Sequence, residues 1–255
     1  MLTAITRKLS PSIGNCELEF QPRVPIDFER ASEQHRQYEA CLERLGVQVI
    51  SLPAERAYPD ATFVEDPVVV LDHVAVIARM GAESRRGEAE SLAAALAPYR
   101  EIVRLREPAM LEGGDVLQMG GTLYVGLSRR TNAEGIRQLS EILNGSRYRV
   151  VPVKVDGCLH LKTACCALTD RAMLANRTWF DAAALEGLHI VDVPKEEPRA
   201  ANVLRVGQTL MVPASCRRTI RMLEEAGYCV VAIDNSELAK AEAGLTCTSV
   251  IFDAE

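Results

Sequence analysis

Residues 114–126, Gly114-Asp-Val-Leu-Gln-Met-Gly-Gly-Thr-Leu-Tyr-Val-Gly126, decide how this chain is read. Two short apolar runs flank Gly120-Gly121, the pattern of a hairpin. An amphipathic helix is expected near Asn132–Leu143, followed by a third apolar strand over Tyr148–Val155. The same order of strand, strand, helix and strand begins again near Leu2, Phe63, His160 and Ala201. The repeat is roughly 45–50 residues long, in the range of solenoids and propellers. A final strand at Thr246–Phe252 belongs with the first copy and would close a ring. The expected fold is therefore α/β, a single domain over residues 1–255 built as a five-module ββαβ propeller with pseudo-fivefold symmetry.

The other copies fill in by the same rules. Asp27 can cap a helix over Asp27–Leu45 that Gly46 stops, with a strand at Val47–Leu52. Val68–Val70 and Val74–Ile77 form a hairpin, then a helix over Ala82–Tyr99 and a strand at Ile102–Leu105. The fourth copy has strands at Thr163–Leu168 and Ala172–Ala175, a helix near Asp181–Leu188 and a strand at Ile190–Val193. The fifth has Val203–Val206, Thr209–Val212, a helix at Arg217–Ala226 and Tyr228–Ile233. Ser10–Ile26, with Pro11, Gly14, Pro22 and Pro25, is one long irregular stretch, either a lid or a wrapping surface loop. A doubly wound sheet is the competing fold. It would want a glycine-rich phosphate turn, and Gly113-Gly114 and Gly120-Gly121 fit neither such motif.

Composition narrows the function. The 255 residues are 48% hydrophobic and 25% charged, enough for a packed core. A net charge of −6 argues against nucleic acid and anionic membrane as partners. No run approaches ~20 apolar residues, so no membrane span is expected. The N-terminus lacks the apolar stretch of a signal peptide, which points to a cytoplasmic address and reduced thiols. The eight cysteines contain no CxxC pair, so no metal site is expected.

Repetition places equivalent positions side by side, and chemically loaded residues open nearly every copy. Cys247, at the expected start of the last strand, is a core thiol or a nucleophile, and the second reading needs a partner that takes its proton. Of four histidines, His35 sits among Glu33, Gln34 and Arg36 on what reads as a solvated helix face. His73 lies in a hairpin turn and His189 at a helix end. His160 lies between apolar residues at the opening of a copy, and is the natural partner of the thiol. Glu112, in Leu111-Glu-Gly-Gly-Asp115, can orient a histidine and stabilise its cation. Glu65-Asp66 is costly to bury unless it meets a cation, and carboxylates grip a planar guanidinium well. Arg85 and Arg130 would hold a carboxylate if both point inward, leaving Asp60 for an ammonium. Together these would read an amino acid with a guanidino tail.

The segments Glu33-Gln-His35, Phe63-Val-Glu-Asp-Pro67, Gly81-Ala-Glu-Ser-Arg-Arg-Gly-Glu88, Glu112-Gly-Gly-Asp115, Arg130-Thr-Asn-Ala-Glu-Gly135, Leu159-His-Leu-Lys-Thr163 and Thr246-Cys-Thr-Ser249 resemble, in order and spacing, the dimethylarginine dimethylaminohydrolases of the guanidine-modifying (pentein) superfamily. The resemblance runs essentially end to end. It implies five ββαβ modules about a central channel, with Cys247 as nucleophile, His160 as general acid and base, and Glu112 orienting His160. It implies Glu65 and Asp66 around the guanidinium, Arg85 and Arg130 on the α-carboxylate, Asp60 on the α-amine, and backbone contacts at Leu18 and Ala241. The implied substrate is a small methylated arginine, with no cofactor, and a homodimer is left open. The chain departs from the family at Ala241-Glu-Ala-Gly-Leu245, where relatives often carry aspartate followed by glycine. Arginine deiminase is the nearest rival reading, and an amidinotransferase a further one. A ribosome anti-association factor of similar shape is the non-enzymatic alternative.

Overall fold

The computed structural model describes residues 1–254. Its strands and helices run β1 (Leu2–Arg7), α1 (Phe28–Arg44), β2 (Gln48–Leu52), β3 (Val68–Val70), β4 (Val74–Ile77), α2 (Ala89–Leu96) and β5 (Glu101–Arg104). Then come β6 (Val116–Met119), β7 (Thr122–Leu127), α3 (Ala133–Ile142), β8 (Arg149–Lys154), α4 (Leu161–Ala164), β9 (Cys165–Ala167), β10 (Ala172–Ala175) and β11 (His189–Asp192). The chain ends with β12 (Leu204–Val206), β13 (Thr209–Pro213), α5 (Arg217–Glu225), β14 (Cys229–Ile233) and β15 (Val250–Asp253).

These strands form five separate three-stranded sheets, ordered β15-β1-β2, β3-β4-β5, β6-β7-β8, β9-β10-β11 and β12-β13-β14. In each, the first pair is antiparallel and the second parallel. A hairpin-type turn suffices for the first pair, whereas the parallel return needs a crossover, which a helical segment supplies. The ring closes as expected: β15 pairs with β1 in the register Leu2↔Asp253 to Ile5↔Val250. The first strand of every sheet lines one axial cavity of about 540 Å³, touched by Val68, Val116, Cys166, Leu204 and Val250. The sheets therefore stand around a common axis, and their central strands are the most buried; β10 is buried at all four positions.

The helices follow local chemistry where that chemistry is strong. The Asp27 side chain accepts from Arg30 N at the start of α1, and Asn132 accepts from Gly135 N at the start of α3. Four expectations need correction. The strand expected over Thr163–Leu168 starts at Cys165, because the Thr163 N–H turns back to the His160 carbonyl and Leu161–Ala164 form α4. The helix expected over Ala82–Tyr99 is split into a 3-10 turn, Glu83–Arg85, and the short α2. The break falls at Gly87, where a Cβ would stand 1.9 Å from the Tyr58 hydroxyl, so the chain is pressed against that ring. The helix expected near Asp181–Leu188 is only a 3-10 turn, Ala182–Leu185, because Gly187 takes φ 90 before a second turn can form. The strand expected from Thr246 starts at Val250, and Thr246–Thr248 is a 3-10 turn, so Cys247 projects from a turn rather than a strand. Among the described residues no helix is long and apolar enough to cross a membrane.

Candidate active site

A smaller space of about 20 Å³, enough for a water molecule, shares no lining residue with the 540 Å³ cavity. Asp66, Arg85, Arg130, His160 and Cys247 line it, with Asp60, Phe63 and Ala241 around them. Residues expected together from four different modules thus meet in one place.

Asp66, His160 and Cys247 precede the first strands of their modules, β3, β9 and β15, whereas Arg85 and Arg130 lie between the second strand and the helix of theirs. His160 precedes α4, and its ring Nε2 donates to Glu112 Oε2 at 2.7 Å. Glu112 is fully buried; its other oxygen accepts from Gly81 N at 3.0 Å and from Arg130 at 3.4 Å. Asp115, also fully buried, accepts from Leu161 N, Ser128 Oγ and Thr131 Oγ1, so it anchors the residue next to His160. Cys247 is half-buried, and its Sγ accepts from Gly244 N at 3.4 Å. Its loop is tied to the histidine loop through Asn202: Nδ2 donates to the Lys162 carbonyl at 2.9 Å while Oδ1 accepts from Thr246 N at 3.1 Å.

The acids set the protonation states. Burial alone would disfavour charge on His160, but Asp66, Glu112 and Asp115 outweigh it and hold the ring pKa up at about 9. Burial would raise Glu112, yet the hydrogen bond and charge of His160, with Arg85 and Arg130, bring it down to about 2. Burial first, then the charges of Glu65 and Asp66, push the Cys247 thiol well above its usual range. Both shifts favour the protonated form, a thiol at Cys247 and an imidazolium at His160.

Asp66 has one oxygen engaged and one free. Arg85 donates to Oδ2 at 2.8 Å, whereas Oδ1 is buried without a hydrogen-bond partner, 3.8 Å from His160 Nδ1. An orphaned buried carboxylate oxygen is expensive unless a donor visits it. Asp66, Glu112 and His160 bring ligand-type atoms within 4.8 Å of one another. Glu112 is already spanned by His160 and Arg130, and Arg85 places a cation on Asp66, so these donors are committed to an ionic network.

The two arginines are buried and point inward. Arg85 is held by Glu88 from both Nε and Nη2, at 3.1 and 2.9 Å. Burial, with Asp60 and Asp66, pushes the Glu88 carboxyl up to about 7 against the pull of Arg85. The sequence reading missed Glu88, although it lies three residues after Arg85 and the Gly87 break is what turns it inward. Glu17, which also lines the cavity, was missed as well. Leu18 packs in one apolar cluster with Phe63, Ala241 and Cys247. Asp60 is buried and accepts the Glu17 backbone N–H on both oxygens.

Glu65 departs from expectation. Its carboxylate does not face this cavity; it is bound by Lys162 Nζ and by Thr246 Oγ1 at 2.7 Å, and lines the axial cavity. Glu65 and Asp66 sit in the turn before β3, closed by the Asp66 N–H on the Phe63 carbonyl, and their side chains line different cavities. Its backbone still braces the site, since Glu65 N donates to the Cys247 carbonyl at 3.2 Å. His35 also departs: it is buried, not solvated, with Nε2 3.3 Å from Glu39 Oε1.

A family model described as N,N dimethylarginine dimethylhydrolase, eukaryotic, matches residues 19–211. The N(G),N(G)-dimethylarginine dimethylaminohydrolase of Streptomyces coelicolor is 38% identical over 248 residues, covering 97% of this chain and 95% of the relative. That of Pseudomonas aeruginosa is 36% identical over 228 residues, covering 89% of this chain and 90% of the relative. The solved structure of a cysteine-to-serine mutant of the Pseudomonas aeruginosa enzyme, complexed with citrulline, is similar with a TM-score of 0.93 and 33% identity, over 98% of both chains.

Proposed function

From the premise that this chain belongs to the dimethylarginine dimethylaminohydrolase family, we propose that it hydrolyses an Nω-methylated L-arginine to L-citrulline and a methylamine. The observation that carries the reading is the shared cavity of Cys247, His160 and the unpaired Asp66 Oδ1. The substrate guanidinium donates to Asp66 Oδ1, which relieves that orphaned acceptor. Its positive charge offsets the anions that hold the Cys247 proton, so the thiol gives that proton to solvent as substrate settles.

The thiolate attacks the guanidinium carbon and forms the C–S bond. His160, protonated at neutral pH, gives its proton to the departing nitrogen, and the methylamine leaves. The remaining thiouronium cation stays beside Asp66. His160, now neutral, takes a proton from water, and the hydroxide adds to the same carbon. The C–S bond breaks as the added hydroxyl's proton passes to the departing sulfur, so citrulline leaves and the thiol and imidazolium of the resting site return. Glu112 holds the ring orientation throughout and favours its cationic form. No cofactor enters this scheme.

Phe63, Leu18 and Ala241 give the sulfur an apolar wall, which suits N-methyl groups better than a bare guanidinium. Arg130 and Asp60 would take the two ends of the amino-acid head, with Arg85 fixing Asp66 beside them. The cytoplasmic address expected from the sequence is part of this proposal. Citrulline release from asymmetric dimethylarginine, set against release from unmethylated arginine, tests it. Turnover of dimethylarginine lost in Cys247→Ser is the expected result; citrulline at the parental rate from that variant would reject the mechanism. A preference for unmethylated arginine would replace it with a deiminase.

A further inference from the structure

Residues 10–26 run beside the cavity, which Glu17 lines, and are anchored by the buried Ile13 and Cys16 in the cluster that also holds Phe63 and Ala241. What the segment presents to the site is unusual. Arg130 Nε donates to Glu19 Oε1 at 2.6 Å, and the Glu17 N–H donates to Asp60 at 3.1 and 3.3 Å. The lid thus offers a carboxylate to Arg130 and a donor to Asp60, the same two charges that an α-amino acid head would bring. Glu242 fastens it, accepting from Glu19 N and Phe20 N, and is the one non-glycine residue with positive φ, 59, among the described residues.

Arg130 carries a single charge and already faces Glu112, which is fully buried and locked to His160. Three carboxylates on one guanidinium repel one another, and Glu19, with 24% of its side chain exposed and Arg129 3.8 Å away as a second cation, is the one that can swing out. We propose that Glu19 is a specificity-determining residue whose carboxylate competes with the substrate's α-carboxylate for Arg130. It thereby lowers the advantage of a carboxylate-bearing guanidine over one that lacks the group. The inference deepens the hydrolase reading and rests on it for the identity of the head group. Where the substrate's carboxylate displaces Glu19 from Arg130, deleting the Glu19 charge weakens the free state and leaves the bound state alone.

The test compares the parent with Glu19→Gln on Nω,Nω-dimethyl-L-arginine and on the same guanidine without its carboxylate. Glu19→Gln should raise kcat/KM roughly fivefold for the first substrate, the scale of one part-exposed ion pair, with little change for the second. Gln21→Ala, which alters the lid through its contact with the Ala239 carbonyl and not through Arg130, should leave the ratio at the parental value. An unchanged ratio in Glu19→Gln, or an equal change for both substrates, overturns the proposal. Calorimetric binding of L-citrulline to the Cys247→Ser protein, with and without Glu19→Gln, reads the same competition with no turnover. Tighter citrulline binding in Glu19→Gln, with a parent that hydrolyses no methylated arginine, would sink the hydrolase reading and spare the competition. Unchanged citrulline affinity would sink the competition whatever the turnover.

Discussion

A Cβ on Gly114 would stand 2.6 Å from His160 Nδ1 and 2.7 Å from Asp66 Oδ1, so the imidazole and the free carboxylate oxygen converge over a residue that has no side chain. Gly114→Ala needs no forbidden backbone angle, yet a methyl there must push the ring or the acid aside. Turnover should fall by about a hundredfold or more, the usual penalty of misplacing a reacting group by an ångström. Steady-state kinetics beside circular dichroism checks this; a native spectrum with parental kcat would show that His160 tolerates the shift.

The pH–rate profile carries the protonation argument. Catalysis needs the thiolate and the imidazolium, while the resting pair is a thiol with pKa well above the usual range and a ring with pKa about 9. Below both values kcat/KM should climb about tenfold per pH unit, and it should level near 9 as His160 loses its proton. A plateau already present at about pH 6 would mean a preformed thiolate–imidazolium pair, contrary to this electrostatic picture.

Stability should follow two of the same groups with opposite signs. His160 has its pKa raised from 6.5 to about 9 in the folded chain, so its contribution is complete below 6.5 and disappears as pH rises through 9. Glu112 is lowered from 4.5 to about 2, so its contribution is present above 4.5 and is lost as pH falls through 2. Tm measured across pH should therefore decline on the alkaline side between these His160 values, and His160→Gln should flatten that decline. A parental slope in the variant would assign the alkaline loss to other groups.

Asn202 joins the histidine loop to the nucleophile loop, and Gly244 must be a glycine for it to fit, since a Cβ there would stand 2.1 Å from the Asn202 side chain. Asn202→Ala leaves the Lys162 carbonyl and Thr246 N–H without these bonds, at a cost of on the order of 2 kcal/mol in folding. The larger effect should be on kcat, with KM nearly unchanged, because the bond sets where Cys247 stands relative to His160. Denaturant unfolding and steady-state kinetics separate the two; loss of stability with unchanged kcat would make Asn202 structural only.

Much of this architecture was legible in the residues themselves. Alternating apolar runs, the Asp27 and Asn132 caps and the turn glycines act within a few residues of one another, so the repeat and the ring closure could be read before any coordinate. Cys247, His160, Glu112 and Asp66 could be singled out because each opens or follows a module, and the last three are costly groups to bury without partners. His35 shows a readable signal passed over: its neighbours are polar, but at helical spacing it shares a face with Ala31, Tyr38 and Leu42, all buried.

What no stretch of sequence contained was the pairing across modules. The Glu65 carboxylate turns to Lys162 and away from Asp66, Glu88 folds back on Arg85 through a break set by Tyr58, and Glu19 lies on Arg130, over a hundred positions away in the chain. Local periodicity encodes strand and helix because backbone hydrogen bonds span a few residues. Which side chain meets which charge at the axis is fixed only when five sheets close around it, since that closure alone brings the module openings together and excludes the water that would otherwise have satisfied them.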